Sequence, residues 1–502
     1  MSEDKKGLPP ELKAKFKVEF NKEWRKELRK SISAKERMKL DRQKMPERSA
    51  KIRKADFDEV NIGLDGEAAK KEAIRCLDCA IPQCVMGCPV RIDIPGFIKL
   101  IEKGDFAGSA RKLKETNTLP AICGRVCPQE TQCEDVCNLK KATGVPVAIG
   151  NLERFASDYE RDKAEVYIPK AAPSTGHKAA IIGAGPAGLT VAGELIKKGH
   201  QVTVFEALHV AGGVLAYGIP EFRLPKKILQ AEVDYLVDLG VEIKMNFVVG
   251  LTATIEDLKN QGYEVFFVGS GAGLPNFMRI PGENLNGIYS ANEYLTRVNL
   301  MCAYDFPEYD TPVFKGKRVA VMGGGNVAMD SVRIAKRLGA EFAVIVYRRS
   351  RIEMPARVEE VKHAEEEGIE FQFLTTPIRY IGDEKNHIKA MECLKMKLGE
   401  PDSSGRRRPV PIEGSEYIMD IDLAVVAIGQ SPNPLIPQTT PGLDVGKWGN
   451  IEVDWETMKT NMDGIYAGGD IIRGGATVIL AMGDGRIAAA EMDKYLSTLK
   501  KK

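Results

Sequence analysis

Eight of the ten cysteines fall between Cys76 and Cys137, in two groups of four. The first reads Cys76-x2-Cys79-x4-Cys84-x3-Cys88 with Pro89 after it; the second reads Cys123-x3-Cys127-Pro128-x4-Cys133-x3-Cys137. Thiolates so spaced are ligands for soft metals, and C-x2-C-x2-C-x3-C-P is the iron-sulfur run whose last cysteine crosses to another cluster. Here the middle gap is wider by two residues. The same crossing logic assigns Cys76, Cys79 and Cys84 to one 4Fe-4S cluster and sends Cys88 to a second with Cys127 and Cys133. Cys137 then completes the first. The last ligand of the second is open between Cys123 and a carboxylate such as Glu153, whose hard oxygen would shift the potential. Two four-thiolate zinc sites are the alternative; the proline after Cys88 favours iron and sulfur. Cys302 and Cys393 stand alone and read as buried structural thiols.

Two glycine turns carry the second kind of chemistry. In Ala180-Ile-Ile-Gly183-Ala-Gly185-Pro-Ala-Gly188 the first glycine makes the turn, the second admits a pyrophosphate and the third lets helix and strand pack. Glu206 ends the next apolar run, VTVFEA, 23 residues after Gly183, where it can accept from a ribose 2'-hydroxyl. The second turn, Gly323-Gly-Gly325-Asn-Val-Ala328, has Val346 at the position equivalent to Glu206, followed by Arg348 and Arg349. An absent acid and two guanidinium groups suit a 2'-phosphate, so NADP(H) is expected over NAD(H); a surface arginine pair without a ligand is the alternative. Near the C-terminus, GIYAGGD delivers Asp470 and a helix opens near Thr477. That acid could hold a ribityl hydroxyl of a flavin, or simply cap the helix. The five histidines are scattered, with no HExxH pair. Hydride transfer from nicotinamide to flavin needs none.

The elements that must position these residues are legible from periodicity. Buried-strand runs open both glycine turns, at Ala179–Ile182 and from Arg318, and the remainder alternates apolar strands (EVFFVGSG, AVIVYRR, DLAVVAIG) with helical stretches. The fold class expected is α/β: an N-terminal helical iron-sulfur domain, then two Rossmann-like dinucleotide-binding domains, the NADPH domain inserted in the FAD domain. The expected division is a basic helical extension over 1–54, the two-cluster domain over 55–170, an FAD domain over 171–289 and 432–502, and an NADPH domain over 290–431. At 502 residues the chain is about three times the ~150-residue domain prior, in keeping with that division.

Phe16, Phe20, Trp24 and Leu28 recur every four residues, so Lys13 to about Lys44 reads as an amphipathic helix, packed on its own protein or docking a partner. Residues 1–54 hold 19 Lys+Arg against 9 Asp+Glu, yet the whole chain carries a formal charge of only +2, which gives no whole-chain argument for nucleic acid. No stretch approaches the ~18 apolar residues of a membrane span, and the first residues lack the apolar core of a signal peptide. A cytoplasmic protein with reduced, metal-binding thiols is expected.

Together these residues resemble the small-subunit family of NADPH-dependent glutamate synthase, shared with the large subunit of NADH-dependent reduced ferredoxin:NADP oxidoreductase and the electron-entry half of dihydropyrimidine dehydrogenase. The resemblance runs from about Asn61 to Leu496, most specifically in CGRVCPQETQCEDVC, GGVLAYGIPEFRLPK, YRRSRIEMPA, AIGQSPNP and AGGDIIRGGATVILAMGDGR. It implies two 4Fe-4S clusters, FAD on Gly183, Gly185, Gly188, Glu206, Gly213, Asp470 and Thr477, and NADPH on Gly323, Gly325, Asn326, Arg348 and Arg349. In related proteins an oxygen ligand lies 16 residues past the eighth cysteine, which points to Glu153 rather than Cys123. The activity implied is electron input for glutamate synthesis from glutamine, 2-oxoglutarate and NADPH. Ser2 stands where an amidotransferase has a nucleophilic cysteine, and the three domains leave no room for an FMN barrel of ~250 residues, so only the electron-input part of that reaction is expected here. The partner implied is the glutamate synthase large subunit or, on the second family reading, a flavin and 2Fe-2S NADH-binding subunit. A zinc-stabilised assembly scaffold is the alternative of a different class.

Overall fold

Two apolar runs that end at glycine turns become the central strands of two parallel sheets, because such runs are buried on both faces once helices cover them. The computed structural model describes residues 10–163, 166–402 and 405–499; Ser2 lies outside them. In the first sheet β1 (Lys178–Ile182) pairs with β2 (Gln201–Phe205), which pairs with β3 (Glu242–Lys244); on its other side β1 pairs with β4 (Val265–Val268). The outer strand beyond β4 is β16 (Ile465–Ala467), contributed from almost 200 residues downstream.

Between those two strands the chain builds the second sheet. A short ribbon of β5 (Leu274–Pro275) and β15 (Gln430–Ser431) marks the crossing out and back. The second sheet has the order β6-β14-β7-β8-β9, with β6 Ile288–Ser290, β7 Arg318–Met322, β8 Phe342–Tyr347, β9 Glu370–Phe373 and β14 Leu423–Val426. β10 (Thr375–Gly382), β11 (Ile388–Pro401), β12 (Arg407–Pro411) and β13 (Tyr417–Asp420) form an antiparallel flap beside it. β6 falls in the segment expected to belong to the first nucleotide domain, yet it hydrogen-bonds to β14. Three residues are too short a run for their sheet membership to be read from pattern.

The N-terminal segment departs from the single helix expected over Lys13–Lys44. It forms three helices, Pro10–Phe20, Glu23–Ser31 and Ala34–Arg37, and no helix from Met38 to Lys44. Lys22 and Ile32 adopt extended conformations, and Ser33 with Glu36 makes a reciprocal capping box that restarts the helix. The four-residue apolar spacing survives across these breaks, but the segment turns with the surface it covers. Phe16 and the guanidinium groups of Arg25, Arg37 and Arg53 are buried against the rest of the chain.

A buried ion network ties this segment to the second nucleotide domain. Arg53 reaches Glu366 and Glu367; Arg333 and Arg337 also hold Glu367; Arg223 bridges Asp330 and Glu360. Burial alone would raise the Glu367 carboxyl, but Arg333 and Arg337 outweigh it and take it down to about 2; Arg223 and Arg333 do the same for Glu360. Both titrate below their ordinary 4.5 in the folded chain, so the stability they contribute is complete above that pH and is lost as pH falls from 4.5 towards 2. Glu367→Gln should therefore flatten the acid limb of the thermal midpoint. It should also cost about 3–5 kcal/mol at neutral pH, because the arginines stay buried without their partner. An unchanged acid limb in this variant would contradict the network's role.

No helix among the described residues is long and apolar enough to cross a membrane.

Candidate electron-transfer site

Short capped helices set the cysteine loops. The Asp93 and Asp105 carboxylates accept from Gly96 N at 3.0 Å and Gly108 N at 2.8 Å, starting helices Ile94–Lys103 and Phe106–Lys114. Helix Pro120–Val126, which carries Cys123, packs on helix Ile149–Lys163, which carries Glu153. At their crossing is Gly124, where a Cβ would lie 2.5 Å from Arg154 N, so only a glycine allows this approach.

The thiols sort into two sets. Burial pushes the Cys84 thiol well up, and the facing thiols of Cys76, Cys137 and Cys79 push it further; Cys79 in turn faces Cys137 and accepts a hydrogen bond from Asn138 Nδ2 at 3.4 Å. Cys133, raised first by burial, faces Cys88 and Glu153, and Cys127 faces Cys123, Glu153 and Cys133. Cys76 and Cys88 are pushed up to about 12 by burial. Thiols held up in this way are poor nucleophiles, and their thiolates need a cationic metal to be stable. The two sets coincide with the assignment expected from spacing, Cys76, Cys79, Cys84 and Cys137 against Cys88, Cys127 and Cys133.

Glu153 sits with the second set. Burial pushes its carboxyl up to about 8, and Asn117 Nδ2 donates to its Oε1 at 2.7 Å. A buried carboxylate with one neutral donor and no cation is an open ligand position. Cys123 is also close: its Sγ lies 3.7 Å from Asn117 Oδ1, and its neighbours include Cys127 and Glu153. Both candidates for the last ligand therefore reach the same place. A tetrahedral zinc with bonds of about 2.3 Å would need sulfurs about 3.8 Å apart. Among the described residues the one set of three ligand atoms lying within 4.8 Å of one another is Glu47, Glu359 and His363, with no cysteine in it. The thiols are thus spaced for something larger than one ion. In that trio Arg53 and Lys362 already pair with Glu47, and Arg357 with Glu359, so the arrangement is an ion network rather than a metal centre.

The first glycine turn has the shape of a dinucleotide cradle. Gly183 has φ +100°, and a Cβ there would lie 2.5 Å from Gly269 O, while a Cβ on Gly188 would lie 2.0 Å from Gly183 O. A Cβ on Gly185 would meet nothing within 4 Å, although Gly213 backs directly onto its Cα. That open space is where a pyrophosphate fits, at the N-terminus of helix Pro186–Lys197. Glu206 ends β2, accepting from Ala184 N at 2.8 Å and Leu208 N at 2.9 Å. Across the site, burial pushes the Asp470 carboxyl up to about 6, and it accepts from Ala476 N at 3.1 Å. Thr477 caps helix Val478–Thr498, whose positive end faces the same space. These groups suit a flavin dinucleotide.

The second turn differs from expectation at two residues. Arg348 is exposed at the end of β8. Arg349 turns inward, donating to Asp402 Oδ2 at 2.7 Å and from Nε to Arg407 O at 2.9 Å. Consecutive extended residues point to opposite faces, so the two guanidinium groups do not converge. Asn326, expected to meet the nucleotide, instead accepts from Arg357 N at 2.9 Å and holds the loop after β8 over the glycine turn. Gly323 has φ +141°, with Ala427 O 2.3 Å from where a Cβ would sit, and Gly325 faces open space up to Pro355. Cys393 is buried as expected, whereas Cys302 is only half-buried.

Three residues that spacing could not single out join these sites. Met482, on helix Val478–Thr498, places its Sδ 3.5 Å from Cys123 Sγ. Next to it, a Cβ on Gly483 would lie 3.1 Å from Pro89 Cβ, so the loop after Cys88 rests on the same helix. Arg357 donates to Arg125 O and Gln129 Oε1, fastening the second nucleotide turn to the loop that carries Cys127.

Residues 53–165 match the family described as dihydropyrimidine dehydrogenase domain II, 4Fe-4S cluster, and residues 177–485 match pyridine nucleotide-disulphide oxidoreductase. FprA of Mycobacterium tuberculosis in complex with NADPH shares the fold at a TM-score of 0.55 and 21% identity, over 65% of this chain and 85% of that one. Fold and site thus define an iron-sulfur oxidoreductase with flavin and NADP sites. The glutamate synthase (NADPH) small chain of Azospirillum brasilense is 39% identical over 90% of this chain and 94% of its own. That of Escherichia coli K12 is 36% identical over 91% and 98%. The beta subunit of the NADP(+)-dependent formate dehydrogenase of Moorella thermoacetica is 40% identical over 82% of this chain and 60% of its own. The chain belongs to the glutamate synthase small-chain family and is an NADPH-dependent oxidoreductase of that type.

Proposed function

We propose that this chain binds NADPH on the second sheet and FAD on the first, and passes electrons through two 4Fe-4S clusters to a partner of the glutamate synthase large-subunit type. The partner would form two glutamates from glutamine and 2-oxoglutarate. FAD supplies the exchange between hydride and single electrons. Gly183, Gly185, Gly188 and Gly213 make room for it, Glu206 accepts from its ribose, and Asp470 with the Thr477 helix end meets the ribityl and ring side. Gly323 and Gly325 admit NADPH, Arg348 meets the 2'-phosphate, and Asn326 and Arg349 position the surrounding loops. Cys76, Cys79, Cys84 and Cys137 hold the first cluster; Cys88, Cys127, Cys133 and Glu153 hold the second. The inserted NADPH domain begins between the β5 ribbon and β6, ahead of the residue-290 boundary expected from sequence.

The observation that carries this reading is the contact of Cys123 and Pro89 with Met482 and Gly483 on the flavin-site helix. It sets the second thiol group beside the flavin domain. Cys79 and Cys84 of the first group are only half-buried, and Ile81 between them is 68% exposed. Electrons therefore run from flavin to second cluster to first cluster to partner.

The purified chain should show flavin absorption with an iron-sulfur shoulder, and with NADPH it should reduce dyes. Glutamate should form only after a large subunit is added. A colourless zinc-loaded chain, or glutamate made by the chain alone, would overturn the proposal. Activity with NADH and reduced ferredoxin on adding a flavin and 2Fe-2S subunit, without glutamate formation, would assign the ferredoxin:NADP oxidoreductase role instead.

A further inference from the structure

The basic N-terminal segment lies against the loop that carries the first thiol group. Asp78, between Cys76 and Cys79, is buried in a left-handed conformation with φ 51°. Arg25 and Arg29 of helix Glu23–Ser31 both pair with its carboxylate, and Arg25 is itself only 2% exposed. Arg29 also stacks 3.8 Å from the centre of the Phe20 ring and donates to Phe20 O at 2.9 Å, so its position is built rather than incidental. One turn of chain further on, Arg37 donates to Ile74 O at 2.5 Å and to Glu102 Oε1 at 2.8 Å. Lys99, also buried, donates to Cys76 O at 2.7 Å and pairs with Glu102. Four cations thus face two carboxylates, an excess of two positive charges beside the first set. The N-terminal segment contributes three of the four.

The second set has the opposite surroundings. Its nearby buried groups are the carboxylates of Glu153 and Glu232, whose donors are the neutral Asn117 amide and Ala121 N–H. A buried positive charge stabilises the reduced, more negative form of a cluster, and low local dielectric magnifies that effect. We propose that the N-terminal segment is a potential-setting strap, which raises the first cluster's reduction potential relative to the second and so makes outward electron flow downhill. This inference rests on the cluster assignment proposed above.

The test is an EPR-monitored redox titration of the full-length holoprotein. Arg29→Gln removes a half-exposed member of the group and should lower the first cluster's midpoint. At a fixed poise its oxidised-to-reduced ratio should change about tenfold, about 59 mV for one electron. Asp78→Asn should move the midpoint the other way. The double variant should return close to the unmodified value, with the second cluster's signal unmoved throughout. Arg29→Lys, which keeps the charge, should leave both midpoints in place.

Opposite shifts from the two charge changes support the strap. Unmoved midpoints at full iron content, or shifts of the same sign in Arg29→Gln and Asp78→Asn, overturn it. Loss of the first cluster in Arg29→Lys also overturns it, by assigning a purely structural role. Absence of iron from the unmodified protein would sink the cluster assignment itself, and is separable from all of these results.

Discussion

Arg348→Ser should lower kcat/KM for NADPH by about 10- to 150-fold while leaving NADH almost untouched. The figure corresponds to one charge-assisted hydrogen bond to a phosphate, about 1.5–3 kcal/mol. The loss should fall mainly in KM, because the 2'-phosphate is remote from the reacting carbon and is bound equally in ground and transition states. Arg349→Ser should behave differently. That side chain is committed to Asp402 and the Arg407 carbonyl, so its removal should lower stability and affect both nucleotides alike. Steady-state dye reduction with each nucleotide checks both statements. If Arg348→Ser weakens NADH and NADPH equally, or if Arg349→Ser alone erases the preference, the roles given to the two arginines are reversed.

Cys84→Ser should remove the first cluster, and with it half the iron, while NADPH still reduces the flavin. Losing a mere supporting hydrogen bond to a metal ligand typically costs 10–100-fold, so losing the ligand should lower partner-coupled turnover by roughly two orders of magnitude or more. Glu153→Ala should change the potential or occupancy of the second cluster and spare the first. Cys123→Ser should be milder, since its sulfur is also satisfied against Met482 and Asn117. Iron content with the EPR signal of each cluster separates these variants. The opposite pattern, collapse in Cys123→Ser and indifference in Glu153→Ala, would make Cys123 the ligand.

The separation of the cysteines into two interleaved sets was legible in the chain because ligand spacing is a local property: a few residues of loop allow only certain thiols to converge. The same holds for the glycine turns. Gly183, Gly188 and Gly323 stand where any Cβ would strike a carbonyl oxygen, so residue type and backbone conformation imply one another. Glu206 at the end of β2 followed from strand length alone.

Other features depended on residues far apart in the chain. The four-residue apolar spacing from Phe16 to Leu28 predicted one helix, and the three helices found follow a surface made by later residues, with Arg25 meeting Asp78 53 positions away. Periodicity records which face is buried but not where the axis must bend. Arg348 and Arg349 were indistinguishable as letters; the flap carrying Asp402 and Arg407 draws one inward and leaves the other for the ligand. The contact of Cys123 with Met482, 359 residues apart, was set by the return of the last strand and helix to the first sheet. Local spacing specifies which side chains can ligate and where the chain can turn, since both depend on a few consecutive dihedral angles. Which thiol group meets the flavin domain and which arginine stays free depend on how whole domains pack, and no short window of residues contains that information.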